Sequence, residues 1–106
     1  MATGRLGTAD LAVTTNTTLY TVPTGYFTVA TVSIVNRSNA SATVRLAMAN
    51  TATPGAAEWL EYDVEILPKG VLERTGIVMD AGKNLVVYSS IANVGAMAFG
   101  IETSTT

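Results

Sequence analysis

Along Trp59-Leu60-Glu61-Tyr62-Asp63-Val64-Glu65-Ile66, apolar and acidic side chains alternate almost one for one. In an extended chain Leu60, Tyr62, Val64 and Ile66 share one face, and Glu61, Asp63 and Glu65 share the other; a helix would spread the carboxylates around its circumference. The spacing predicts a strand with one buried and one wet face. Slipping its register by one residue would bury three carboxylates, at several kcal/mol for each one left unpaired.

Six further runs follow the same logic. Thr18 to Val22 is short and ends at Pro23-Thr24-Gly25. Phe27 to Val35 is expected to turn Ala30, Val32 and Ile34 inward. In Thr43 to Met48, Val44, Leu46 and Met48 share a face. Val71 to Val78, Asn84 to Ser89 and Val94 to Glu102 complete the set, the last with Met97, Phe99 and Ile101 as its heavy face. Asn36 to Ser41 reads as a hairpin loop, and Asn50 to Glu58, with Pro54-Gly55, as the longest excursion or a single helical turn. Pro68-Lys69-Gly70 and Asp80-Ala81-Gly82-Lys83 read as tight turns. No window carries a sustained helical stripe. Seventeen threonines and twelve valines suit pleated, half-buried surfaces.

Short strands with turns at fairly even intervals predict a single all-β domain, an antiparallel β-sandwich of jelly-roll or Ig-like type with seven to eight strands. Its expected core comprises Leu60, Tyr62, Val64, Ile66, Val32, Ile34, Val44, Leu46, Phe99 and Ile101. Residues 17–102 form the sandwich, 103–106 a polar tail, and 1–16 an N-terminal arm or edge strand. In that segment Leu6 and Leu11 are expected to fill pockets on a neighbour, while Arg5 and Asp10 set register by charge.

At 106 residues the chain is long enough for one core without disulfide or metal. It contains neither Cys nor His, which removes the common zinc, haem and iron–sulfur ligand sets, Ser-His-Asp triads and histidine switches. No glycines stand in phosphate-binding spacing, and no base is placed to activate a hydroxyl. The chain therefore reads as non-enzymatic and without cofactor. Its six basic residues are scattered, which argues against nucleic acid as a partner, and no apolar stretch is long enough to span a bilayer. The opening Met-Ala-Thr-Gly-Arg-Leu-Gly has no apolar leader core, so synthesis in the cytoplasm is expected. Three glycosylation sequons, at Asn16, Asn36 and Asn39, reflect abundant Asn, Ser and Thr.

Two groups of residues carry binding potential. Glu61, Asp63 and Glu65 sit about 6.6 Å apart on alternate strand positions, a pattern most often used as a solvated face and otherwise as a salt-bridged interface. Trp59, the sole tryptophan, falls on that acidic face by parity. It is either a core or boundary residue or a contact anchor.

Tyr20-Thr21-Val22-Pro23, Val35-Asn36-Arg37-Ser38, Glu61-Tyr62-Asp63-Val64 and the run from Gly70 to Ile77 resemble the small virion structural proteins of tailed bacteriophages, especially those of cyanobacterial phages. Asp80-Ala81-Gly82-Lys83 and Gly100-Ile101-Glu102 extend the likeness over most of the chain. The resemblance implies a repeated particle component, foremost a capsid decoration protein bound to the major capsid protein in many copies. The alternative is a tail, neck or fibre module bound to a tail protein and recognising a host-surface carbohydrate or protein. With 48% apolar residues in so small a domain, surplus apolar surface predicts a homo-oligomer, a trimer by preference.

Overall fold

The computed structural model describes residues 3–105, Thr3 by its backbone alone. Residues 1, 2 and 106, included in the expected arm and tail, lie outside the described residues. Eight strands follow one another: β1 (Thr3–Asp10), β2 (Thr17–Thr21), β3 (Tyr26–Asn36), β4 (Ala42–Ala49), β5 (Trp59–Ile66), β6 (Val71–Met79), β7 (Asn84–Ser89) and β8 (Val94–Ser104). Among the described residues there is no helix; Asn50 to Glu58 is an irregular loop. All seven expected runs are strands, within one or two residues at their ends.

The strands form two four-stranded antiparallel sheets, ordered β1-β8-β3-β6 (sheet I) and β2-β7-β4-β5 (sheet II). Within them β1 pairs with β8, β2 with β7, β3 with β6 and β4 with β5. The chain is thus one long antiparallel ribbon rolled over on itself, the strand order of a jelly roll. That order selects between the two sandwich types expected from the sequence.

Turn chemistry makes the roll possible. Gly25 and Gly82 take φ of 85° and 83° at the tips after β2 and β6. Tyr26 N–H donates to the Pro23 carbonyl (3.2 Å), Lys83 N–H to that of Asp80 (3.3 Å), and Gly70 N–H to that of Leu67 (2.8 Å). These are turn bonds at the places where Pro, Gly and Asp marked turns.

The core lies between the sheets. Val32, Ile34, Ala96, Ala98 and Met79 from sheet I meet Val44, Leu46, Leu85 and Val87 from sheet II, all at most 5% exposed. One flank is closed where β1 crosses β2: a Cβ on Gly7 would stand 2.2 Å from the Leu19 carbonyl oxygen. Across the opposite flank the Arg74 guanidinium donates to Glu61 at 2.7 Å.

Three expectations need correction. Residues 3–10 take the edge-strand form of the two expected, but Leu11 is buried and Leu6 packs against the domain's own core, so neither is free to fill a neighbour's pocket. Strand β8 faces the other way. Ala96, Ala98 and the Glu102 side chain point inward, while Met97 and Ile101 are exposed and Phe99 is half-buried. The inward residues of β8 are thus small, and they share one core cluster with larger side chains such as Leu46 and Leu85. Finally, the alternation of β5 breaks. Val44 faces Val64 but Leu46 faces Glu61, so Tyr62 and Asp63 together oppose Arg45 as a bulge. Tyr62, expected in the core, is 55% exposed; Leu60 and Val64 still pack against the core and Ile66 is buried.

Candidate functional site

The outer faces of the two sheets differ in chemistry. On sheet I, strand register aligns Val78, Val29 and Ile101 in one row beside Phe27. Val78 and Ile101 are 63% and 54% exposed. Two rows further along lie Glu73, Ser33, Met97 and Thr8, followed by Val71, Val35, Gly95 and Asp10. Here the small Ser33 and the bare Gly95 open a groove of about 310 Å³ between Val35, Met97 and Phe99. The face is therefore a raised apolar ridge at one end and an apolar groove at the other, with Arg5, Asp10 and Glu73 as its charges. Asp10 is paired with Arg37 at 2.6 Å.

On sheet II the bulge in β5 builds an aromatic cluster. Asp63 is held at φ 53°, a left-handed conformation that costs a non-glycine residue about 1 kcal/mol or more. Its carboxylate accepts a hydrogen bond from Arg45 Nε at 2.6 Å. The guanidinium in turn lies 4.3 Å from the ring centre of Tyr62 and 4.4 Å from that of Tyr88. The bond to Asp63 raises the Arg45 pKa above its already high ordinary value, so the cation is permanent. Trp59 meets Tyr62 edge to face, with centroids 5.2 Å apart and planes at 70°. Its indole also covers Ala47, Ala49 and Val86 as a small secondary core. Beside it, the Glu58 carboxylate accepts from Gly55 N–H (2.7 Å) and Asn50 N–H (3.0 Å), which fixes the loop carrying Ala56. These bonds, Gly55 first, hold the Glu58 carboxyl below the usual range.

The residues singled out in the sequence are thus distributed over separate places. Trp59 and Asp63 come together in the aromatic cluster. Glu61 turns to the flank and Arg74, and Glu65 is exposed further along β5, so the three carboxylates form no common acidic face. Among the described residues no group of three acidic side chains could hold a metal. Arg5 stands opposite Phe99 on the outer face of sheet I, with Asp10 at the far end of the same strand. Sequence reading missed Arg45, Tyr62 and Tyr88 as a unit, because β4–β7 register sets Tyr88 beside Arg45 and the β5 bulge brings Tyr62 to the same place. The outer row of sheet I had a readable signal: Phe27, Val29 and Val35 are apolar on the parity opposite to Ala30, Val32 and Ile34.

A third feature lies inside one end of the sandwich. The Tyr20 hydroxyl donates to the buried Glu102 carboxylate and lies 2.8 Å from the Thr28 hydroxyl. Burial, then the bond to Glu102, pushes the phenol up to about 12. All three side chains are enclosed, and their bonds tie β2 to β3 and β8.

Comparison with protein-family models, with curated proteins and with solved structures finds no match.

Proposed function

We propose that this chain is a non-enzymatic structural protein of a virus particle, a capsid decoration protein present in many copies, which assembles through the outer face of sheet I. The observation that carries the reading is that face: a small domain leaves Val29, Val71, Val78, Met97 and Ile101 in contact with water on one continuous sheet surface. Exposed apolar side chains gathered on one sheet face mark an interaction surface. The jelly-roll strand order, common among capsid and lectin domains, and the sequence resemblance to phage virion proteins point the same way.

The first occupant of the face is a second copy. Ridge and groove lie on the same surface, so a two-fold axis across the strands sets the Ile101–Val29 ridge of each copy over the groove of the other. Such self-complementarity fits an isologous pair better than the expected ring of three. Four strands about 4.8 Å apart and about nine residues long give roughly 600 Å² per copy, and the pair buries roughly 1,200 Å² in total, the lower bound for a specific interface. The paired unit then presents both outer faces of sheet II away from the contact.

Two measurements test this. Sedimentation equilibrium of the purified chain should show dimers, and Ile101→Asp should return monomers with an unchanged β spectrum. Quantitative mass spectrometry of purified particles should find hundreds of copies. A concentrated wild-type monomer refutes the pairing, and a protein absent from particles refutes the virion role.

A further inference from the structure

We propose that the aromatic corner on the outer face of sheet II binds a neutral sugar ring, at the end of or within a saccharide chain. The inference does not rest on the assembly reading, which concerns the opposite face.

The corner has the shape of a small-ligand site. Trp59 and Tyr62 stand nearly perpendicular and, with Ala56, line a hollow of about 290 Å³, close to the lower end of the range for ligand pockets. A pyranose has a flat face of C–H bonds and a rim of hydroxyls. Its C–H face suits an aromatic ring, whose electron-rich surface attracts weakly positive hydrogens. Its rim suits planar groups with several donors or acceptors. The Asp63–Arg45 pair adjoins the hollow through the guanidinium stacked on the Tyr62 ring, and each partner retains hydrogen-bonding capacity beyond the single bond between them. Their charges cancel, which favours a neutral sugar over an acidic one.

The corner is also rigid. Arg45 is stacked between Tyr62 and Tyr88, and Trp59 is seated on Ala47, Ala49 and Val86. Side chains already fixed lose little freedom when a ligand arrives. Moreover, the chain departs from regular structure to make the corner. Unbroken alternation would bury Tyr62; instead a bulge with Asp63 at φ 53° turns it out to 55% exposure. Strained backbone of this kind concentrates at functional sites. A protein partner would call for a broad contact surface, whereas the hollow accommodates a ring.

Trp59 is the only tryptophan, so its emission reports on the corner directly. The full chain is titrated with maltose, lactose, mannobiose and N,N′-diacetylchitobiose to about 50 mM, alongside saturation-transfer NMR of each sugar. At least one should shift the Trp59 emission saturably, with millimolar affinity, and receive saturation on the C–H bonds of one ring face. Tyr62→Ala should weaken that binding at least about tenfold, Tyr62→Phe should stay within about threefold, and Thr24→Ala on a remote turn should change nothing. Should Tyr62→Ala lose its β spectrum, Ala56→Arg, which fills the hollow from the loop, should abolish binding instead. The proposal is overturned if all four sugars leave both readouts unchanged, or if a folded Tyr62→Ala or Ala56→Arg binds like the wild type. In the first case the corner is left as a protein contact.

Discussion

Asn36 shows how much one buried polar side chain can hold at the end of this domain. It is fully buried, and its amide donates to the carbonyls of Ala40 (2.7 Å) and Ile66 (3.0 Å). Its oxygen accepts from the Ser38 backbone and hydroxyl at 3.0 and 2.8 Å. One residue thus fastens the β3–β4 loop to the end of β5. Asn36→Ala would strand buried carbonyls and open a small void, so it should cost about 2–4 kcal/mol. The check is a lower urea midpoint at unchanged slope. Tyr20 makes a complementary case in pH. Its phenol is raised from 10.0 to about 12 by burial and by Glu102. The folded state therefore holds the proton more tightly than the unfolded chain. The resulting stability, at most roughly 3 kcal/mol, is fully present below pH 10 and is lost as pH rises through about 12. Tyr20→Phe should be less stable at neutral pH yet lose stability less steeply between about pH 9 and pH 11.5, as measured by urea unfolding at each pH.

At the scale of elements, irregularities rather than regular strands decide what is outside. Gly100 sits in β8 at φ 155°, and a Cβ there would lie 2.1 Å from the Val29 carbonyl oxygen and 2.9 Å from Ala30 Cα. Gly82, at φ 83°, has nothing within 4 Å of the same atom. Gly100→Ala should therefore destabilise by more than about 2 kcal/mol, and Gly82→Ala by about 1 kcal/mol, a ranking that thermal unfolding of the two variants will test. Strand existence, turn positions and most of the inner residues of β3 and β4 were legible in the sequence, because alternation and turn chemistry are local. The facing of β8 was not legible. Met97, Phe99 and Ile101 outweigh Ala96 and Ala98 in any count of local hydrophobicity, and the choice is reversed by packing between the sheets, where the two alanines share one core cluster with larger side chains of both. Nor was the candidate site. Trp59 and Asp63 could be singled out, but their union with Arg45 and Tyr88 depends on register between β4, β5 and β7 and on a bulge that perfect alternation hides.

As a whole the molecule is two-faced: sheet I presents apolar ridge and groove, sheet II presents an aromatic corner with a neutralised ion pair. Rolling one ribbon into two sheets places these faces on opposite sides, so a copy seated on sheet I leaves sheet II open. The chemistry of sheet I fixes how pairing should respond to solution conditions. Its charges, Arg5, Asp10 and Glu73, lie around the apolar rows, Asp10 is already paired with Arg37, and the chain carries a formal charge of only −2. Salt would screen a charge-driven contact over about 10 Å at 0.1 M and about 3 Å at 1 M, and would dissolve it. An apolar contact behaves oppositely, since sulfate strengthens the burial of apolar surface. The dimer should therefore persist when sodium chloride is raised to about 1 M, and its dissociation constant should fall in sodium sulfate. Glu73→Gln should leave pairing within about threefold, whereas Val29→Asp, which sets a carboxylate into the buried row, should weaken it at least a hundredfold, about 2.7 kcal/mol. Sedimentation equilibrium across the salt series and the two variants decides the matter: dissociation by sodium chloride, or a larger effect at Glu73 than at Val29, would assign the contact to charge and refute the apolar face as its cause.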